Sequence, residues 1–315
     1  MPDPQIGEYD AEVEMLWCGV CSSTDKMLRT GTFRGGVSYP SILGHESVGR
    51  VVAVGPTVRN LTVGDLVTRP AAYSAGVAPL AMHWGGFAER GVVHDFRAES
   101  EDRGTSRGTA PWVRLEPGTD PVAAALAISL SETFSVACRE DLLGATVVVV
   151  GTGVAGLSLM RYASLLGAAH VIGVGRRAER LALAASAGAT ETLLADDAPV
   201  ELARRREADV VFEASGQASM VGVEYGWLRR GGRLVVYSAP ERTAEVDLMA
   251  APRDVTLRVA STQETAVLPN IVRLVESGYL AIDEFVTLRV DLPDIANAFD
   301  AIGRGEVVKA LVRLG

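Results

Sequence analysis

The spacing of hydrophobic and polar positions changes character along the chain. In the first third, short apolar runs at residues 12–17, 47–54 and 66–68 are separated by Gly55-Pro56 and Gly64-Asp65. Apolar runs bounded by such turn residues predict strands. Residues 99–110, ESEDRGTSRGTA, are polar and predict a surface loop. From residue 121 the pattern alternates. Residues 121–138 are apolar at helical spacing, and residues 146–150 form an unbroken β-branched run suited to a strand buried on both faces. Helices are predicted over 157–166 and 178–186, with strands over 170–174, 209–213, 233–237 and 255–260. The tail predicts helices at 270–277 and 292–302 and a closing strand at 307–314. Strands alternating with helices imply an α/β unit, a doubly wound parallel sheet covered on both faces. The expected organisation is a β-rich domain over 1–118, a nucleotide-binding domain over 119–262, and a segment 263–315 that packs back on the first domain.

Composition narrows the functional classes. Of 315 residues, 48% are hydrophobic, ample for a buried core. Acidic residues outnumber basic ones 39 to 30, a formal charge of −9, which argues against nucleic acid as a partner. No apolar stretch approaches the roughly 18 residues of a membrane span. The opening Met-Pro-Asp-Pro-Gln lacks the charged and apolar regions of a secretory signal, so a cytoplasmic protein is expected. Three cysteines, Cys18, Cys21 and Cys138, are too few for a disulfide framework.

The strand at 146–150 runs into Gly151-Thr-Gly153-Val154-Ala155-Gly156 and then a helix. In that context the G-x-G-x-x-G pattern is a dinucleotide fingerprint. Gly151 permits the turn, Gly153 lets the backbone approach a pyrophosphate, and Gly156 allows helix and strand to pack closely. The amides of the helix start, at Val154 and Ala155, face the phosphate charge. The next strand ends in Gly175, followed by Arg176-Arg177, where an NAD site usually carries Asp or Glu. A glycine leaves room for a 2′-phosphate and guanidinium groups bind it, so NADP(H) is expected over NAD(H).

Three further segments carry metal-binding chemistry: Cys18-Gly-Val-Cys21-Ser22-Ser23-Thr24-Asp25, Gly44-His45-Glu46, and Ser131-Glu132-Thr-Phe-Ser-Val. Thiolate, imidazole and carboxylate are all good zinc ligands. With Gly49, Val63-Gly-Asp65, Gly85-Gly-Phe-Ala-Glu89, Glu213-Ala-Ser-Gly216, Leu228-Arg-Arg-Gly-Gly-Arg233 and Val308-Lys-Ala, these segments resemble the zinc-dependent medium-chain dehydrogenases of the alcohol and polyol type, over almost the whole chain. The resemblance implies a GroES-like catalytic domain beside the Rossmann domain. It implies one catalytic zinc on Cys21, His45 and Glu132, the last as in polyol-type relatives, with Glu46 able to replace the metal's water. It implies a proton relay at Thr24 or Ser23, Asp25 as partner of His45, and a homodimer or homotetramer. The chain departs from the family in two ways. One extra residue separates Cys21 from Asp25, and Lys26 and Met27 stand where a relay histidine is usual. Residues 70–83 contain no cysteine, so no structural zinc is expected. Cys18 and Cys138 are expected in the core, and His83, His94 and His170 at the surface or half-buried.

The implied activity is hydride transfer between NADP(H) and a small alcohol or carbonyl compound. The carboxylate at 132 directs attention to polyols, sugars or cyclitol-like molecules. Two alternatives stay open: a zinc-free NADPH-dependent enone or quinone reductase of the same fold, and a non-catalytic NADP-binding protein.

Overall fold

The structure, a computed structural model, describes every residue except 1–5, 34, 73–80, 83, 105–110, 239–242 and 250. Along the chain come β1 (Asp10–Val20), α1 (Thr24–Thr30), β2 (Ser41–Ile42), β3 (Glu46–Val54), β4 (Leu66–Thr68), β5 (Ala81–Met82), β6 (Arg90–His94), α2 (Phe96–Arg103) and α3 (Pro121–Ala137). Then follow β7 (Thr146–Val150), α4 (Val154–Leu165), β8 (His170–Gly175), α5 (Ala178–Ser186), β9 (Glu191–Leu194), α6 (Ala198–Arg205), β10 (Ala208–Glu213), α7 (Ala218–Glu224), β11 (Leu228–Val236) and β12 (Thr256–Val259). The chain ends with α8 (Glu264–Glu276), α9 (Ile282–Phe285), β13 (Val286–Asp291), α10 (Ile295–Arg304) and β14 (Lys309–Arg313). No helix among the described residues is long and apolar enough to cross a membrane.

Two units emerge. The first comprises residues 1–129 and 268–315, the second residues 130–267. In the first unit β1 is the hub of the main sheet, whose order is β13-β14-β1-β3-β4 with β6 also on β1. One edge of β1 pairs antiparallel with β3, and the other is shared by β6 and β14. Ala11, Val13, Met15, Cys18 and Val20 of β1 pack with Val51, Val67, Val93, Ala310 and Val312 as the core. Two register shifts against β3, at Glu12/Val13 and Met15/Trp17, break the strict alternation, so that both Met15 and Cys18 point inward. This irregularity shortens the apolar pattern visible in the sequence to less than the real strand.

In the second unit six parallel strands follow the order β12-β11-β10-β7-β8-β9. This is the Rossmann order. Its core joins Val148, Ile172, Val211, Leu234 and Trp227, all buried. The four consecutive valines of β7 are buried because the strand has neighbours on both edges and cover on both faces.

The polar segment expected to be a loop from residue 99 is helical as far as Arg103. Asp95 caps this helix by accepting from the Ala98 amide at 3.0 Å, and Glu99–Arg103 and Arg97–Glu101 pair one turn apart. Capping and i,i+4 ion pairs stabilise a helix with no apolar stripe, which hydrophobic spacing alone does not reveal. Cys138 also differs from expectation: it is exposed just past the end of α3, whereas Cys18 is buried. His83 and most of the cysteine-free stretch at 70–83 lie outside the described residues.

Candidate metal centre and nucleotide site

The end of β1 delivers Cys21 to the start of α1. Its sulfur accepts from the Thr24 amide at 3.3 Å, and its own amide donates to Asp25 Oδ2 at 2.9 Å. Asp25, in the first turn of α1, is fully buried. Glu46 opens β3 and His45 immediately precedes it, both buried. One ligand atom each from Cys21, His45 and Glu46 lie within 4.8 Å of one another. These three sequence-predicted donors are therefore together, and Glu132 sits on α3 in the second unit, where Tyr237 Oη lies 3.5 Å from its Oε2. Thr24 is half-buried at the first position of α1, and Ser23 is exposed beside it.

The charges of the centre are not idle. His45 Nδ1 and Asp25 Oδ1 are buried 3.4 Å apart, and neither makes a hydrogen bond among the described residues. That separation is too long for a good N–H···O bond. Burial pulls the His45 pKa down, but the Asp25 carboxylate and the Cys21 thiol outweigh it and hold it well above the ordinary histidine value. Burial pushes the Glu46 carboxyl up, and the Lys309 ammonium with His45 outweighs it, leaving the carboxyl below its ordinary range. Lys309 Nζ donates to Glu46 Oε2, with both side chains buried. Gly19 makes the space: a Cβ there would stand 2.1 Å from Glu46 Oε2 and 3.0 Å from Lys309 Cε.

The donor chemistry fits zinc. A thiol, an imidazole and carboxylates converge, and the imidazole has a buried carboxylate behind its second nitrogen, as metal-bound histidines usually do. Cys21 also opens onto a pocket of ≈ 540 Å³ lined by Ser22, Lys26, Arg29, Phe299 and Arg304.

In the second unit, Gly153 caps α4 in an extended conformation and has nothing within 4 Å of where a side chain would be. The amides of Val154 and Ala155 follow, in the first turn of a 12-residue helix. Such amides have no carbonyl partner within the helix and suit a phosphate. A Cβ on Gly156 would fall 1.9 Å from the Gly151 carbonyl oxygen, so only glycine allows α4 to lie this close to the turn. Gly175 ends β8 with Thr152 Cγ2 2.7 Å and Leu181 Cδ2 3.0 Å from its would-be Cβ. No carboxylate side chain fits there without displacing Thr152. Arg176 and Arg177 follow, both exposed. Glu213 ends β10 by accepting from the Ser215 and Gly216 amides at 2.7 and 3.0 Å and from Ser238 Oγ, which fixes the turn of the Glu-Ala-Ser-Gly motif.

Sequence reasoning quoted Lys309 only within Val308-Lys-Ala, without a role, and did not single out Arg180. Lys309 is a lone ammonium in the apolar strand KALVR, and that incongruity was its signal. Arg180 is buried on α5 near Arg177. Burial, then the Arg177 charge, holds its pKa below the ordinary guanidinium value, with Glu179 opposing.

Comparisons with known proteins match segments of both units. Residues 7–98 match the alcohol dehydrogenase GroES-like domain, and residues 153–277 match the zinc-binding dehydrogenase domain. A probable zinc-binding alcohol dehydrogenase of Mycobacterium tuberculosis is 30% identical over 95% of this chain and 80% of its own length. The sorbitol dehydrogenase of Rattus norvegicus is 27% identical over 99% of this chain and 91% of its own. Among solved structures, a putative zinc-binding dehydrogenase from Sinorhizobium meliloti 1021 bound to NADP is 26% identical, covers 99% of this chain and 94% of its own, and superposes with a TM-score of 0.79. With a thiol, an imidazole and a carboxylate gathered in a GroES-like unit and a glycine fingerprint opening a six-stranded parallel sheet, this chain is a member of the zinc-dependent medium-chain dehydrogenase/reductase superfamily.

Proposed function

We propose that this chain is an NADP(H)-dependent zinc dehydrogenase or ketoreductase acting on a small alcohol or carbonyl compound. The observation that carries the reading is the convergence of half-buried Cys21 with buried His45 and Glu46, one ligand atom of each within 4.8 Å of the others. Cys21 and His45 are two metal ligands, and the likeness of Ser131-Glu132-Thr-Phe-Ser-Val to polyol-type relatives makes Glu132 the candidate for the third. Glu46 serves as the exchangeable fourth donor, because Lys309 already neutralises its carboxylate. Zinc bound there supplies Lewis acidity to the substrate oxygen.

The protein's own groups do the rest. The buried Asp25 carboxylate, 3.4 Å behind His45 Nδ1, favours the tautomer protonated there and leaves the other ring nitrogen as the ligand. The Thr24 hydroxyl moves the substrate proton toward solvent, since Thr24 is held against Cys21 by its amide and Ser23 is turned to water. Gly153, Val154 and Ala155 receive the pyrophosphate, and Arg176 and Arg177 receive the 2′-phosphate where Gly175 excludes a competing carboxylate. Arg180 adds a third positive charge to that end of the cofactor site.

The test is a panel of alcohols, aldehydes and ketones followed by nicotinamide absorbance with NADPH and NADH, before and after zinc chelation. Chelator-sensitive turnover of alcohols or carbonyls supports the proposal. Reduction of enones or quinones that survives chelation replaces it with the zinc-free reductase. Cofactor binding without turnover of any panel member replaces it with a non-catalytic NADP-binding protein.

A further inference from the structure

Trp84 sits in a conformation that bulky side chains avoid. Its φ is 66°, and Gly85 after it has φ 69°. Two successive positive φ values make a turn that Asn-Gly or Gly-Gly adopts readily and tryptophan does not. Its indole is not buried in compensation: Trp84 is 44% exposed. Two rings meet it. The His45 imidazole lies 5.3 Å from it, centroid to centroid, tilted by 50°, and the half-buried Phe33 lies 5.9 Å away, edge-on at 82°. A strained, exposed aromatic side chain held against a proposed metal ligand is a feature kept for contact with something.

We infer that Trp84 and Phe33 form an aromatic corner for the carbon skeleton of the substrate, which is an alcohol or carbonyl compound bearing an aryl or other flat apolar ring. This inference rests on the proposed metal centre and names its substrate class. Were the substrate oxygen bound beside His45, the group attached to its reacting carbon would come within reach of the neighbouring indole. Two rings set nearly at right angles offer one face and one edge, the surfaces on which a third ring packs well. Trp84 Nε1 is the only polar group those two side chains bring. An open-chain polyol carries a hydroxyl on every carbon, and hydroxyls buried against two rings without partners are penalised. The corner therefore favours aryl substrates over the polyols that the carboxylate at position 132 suggested.

The experiment uses the zinc-loaded chain. Benzamide, an unreactive aryl carbonyl compound, should shift the tryptophan emission of the wild type, and the shift should vanish in Trp84→Leu. The ratio of kcat/KM for benzaldehyde to that for acetaldehyde should fall about tenfold or more in Trp84→Ala and recover in Trp84→Phe. Phe33→Leu, which leaves the strained turn untouched, should lower the same ratio if Trp84→Ala does not fold. An unchanged ratio in folded variants, an emission unmoved by benzamide, or faster oxidation of sorbitol than of benzyl alcohol overturns the inference. If benzamide binds at Trp84 but no carbonyl or alcohol turns over, the proposed activity fails and the aromatic corner stands.

Discussion

Glu46 and Lys309, 263 positions apart in sequence, form an ion pair in which neither side chain reaches solvent. Glu46 opens β3 and Lys309 opens β14, and β1 lies between those strands. Gly19 of β1 leaves the gap through which the two meet. The pair thus ties the carboxylate beside Cys21 and His45 to the last strand of the chain.

Removing one partner strands the other charge in the interior. Lys309→Met should destabilise the first unit by about 3–5 kcal/mol. Adding Glu46→Gln should return much of that loss, because both desolvated charges are then gone. Chemical denaturation of the two variants reads this directly. A double variant no more stable than Lys309→Met would mean that the pair contributes packing alone.

The cofactor end makes a separate prediction. Arg176→Ala combined with Arg177→Ala should weaken NADPH binding on the order of 100-fold and NADH binding by far less, as expected for lost charge-assisted hydrogen bonds to a phosphate. Titration of 2′,5′-ADP against 5′-AMP isolates the same difference without the nicotinamide. Equal losses for both nucleotides would remove the 2′-phosphate assignment.

His94 sets a pH dependence away from the centre. Its Nδ1 is 2.6 Å from Asp10 of β1 and its Nε2 is 2.9 Å from Glu99 of α2. Arg103 pairs with that same Glu99, and the Tyr9 and Phe96 rings lie alongside the imidazole. Burial lowers the His94 pKa, but the two carboxylates outweigh it and hold it above the ordinary value. The folded state therefore binds this proton more tightly than the unfolded chain. The stabilisation is fully present below the unfolded-state pKa of about 6.5 and fades as pH rises through the higher folded value. The unfolding midpoint of the first unit should fall as pH rises through that window, and His94→Gln should flatten the slope. Identical slopes in both proteins would contradict this role.

Much of the second unit was legible because its strands carry unbroken β-branched runs and its turn carries glycines that geometry demands. β7 and α5 stand at the predicted residues, and Gly156 packs as the fingerprint requires. The first unit was less legible. Its sheet joins strands from both ends of the chain, and the partnership of β1 with β14 has no local signature. The short strand β6 and the helix α2 depend on pairing with β1 and on capping by Asp95, not on periodicity. At the centre, the resemblance to the dehydrogenase family pointed to Cys21, His45 and Glu46, whereas Lys309 and Trp84 acquire their roles only from tertiary neighbours.

The most direct measurement is zinc content by elemental analysis after gentle purification, in the wild type and in Cys21→Ser and His45→Asn, with folding checked by circular dichroism. About one zinc per chain in the wild type, falling to less than about 0.2 in each folded variant, is the predicted result. Full zinc in both variants, or none in a folded wild type supplied with zinc, would contradict a metal centre at these residues.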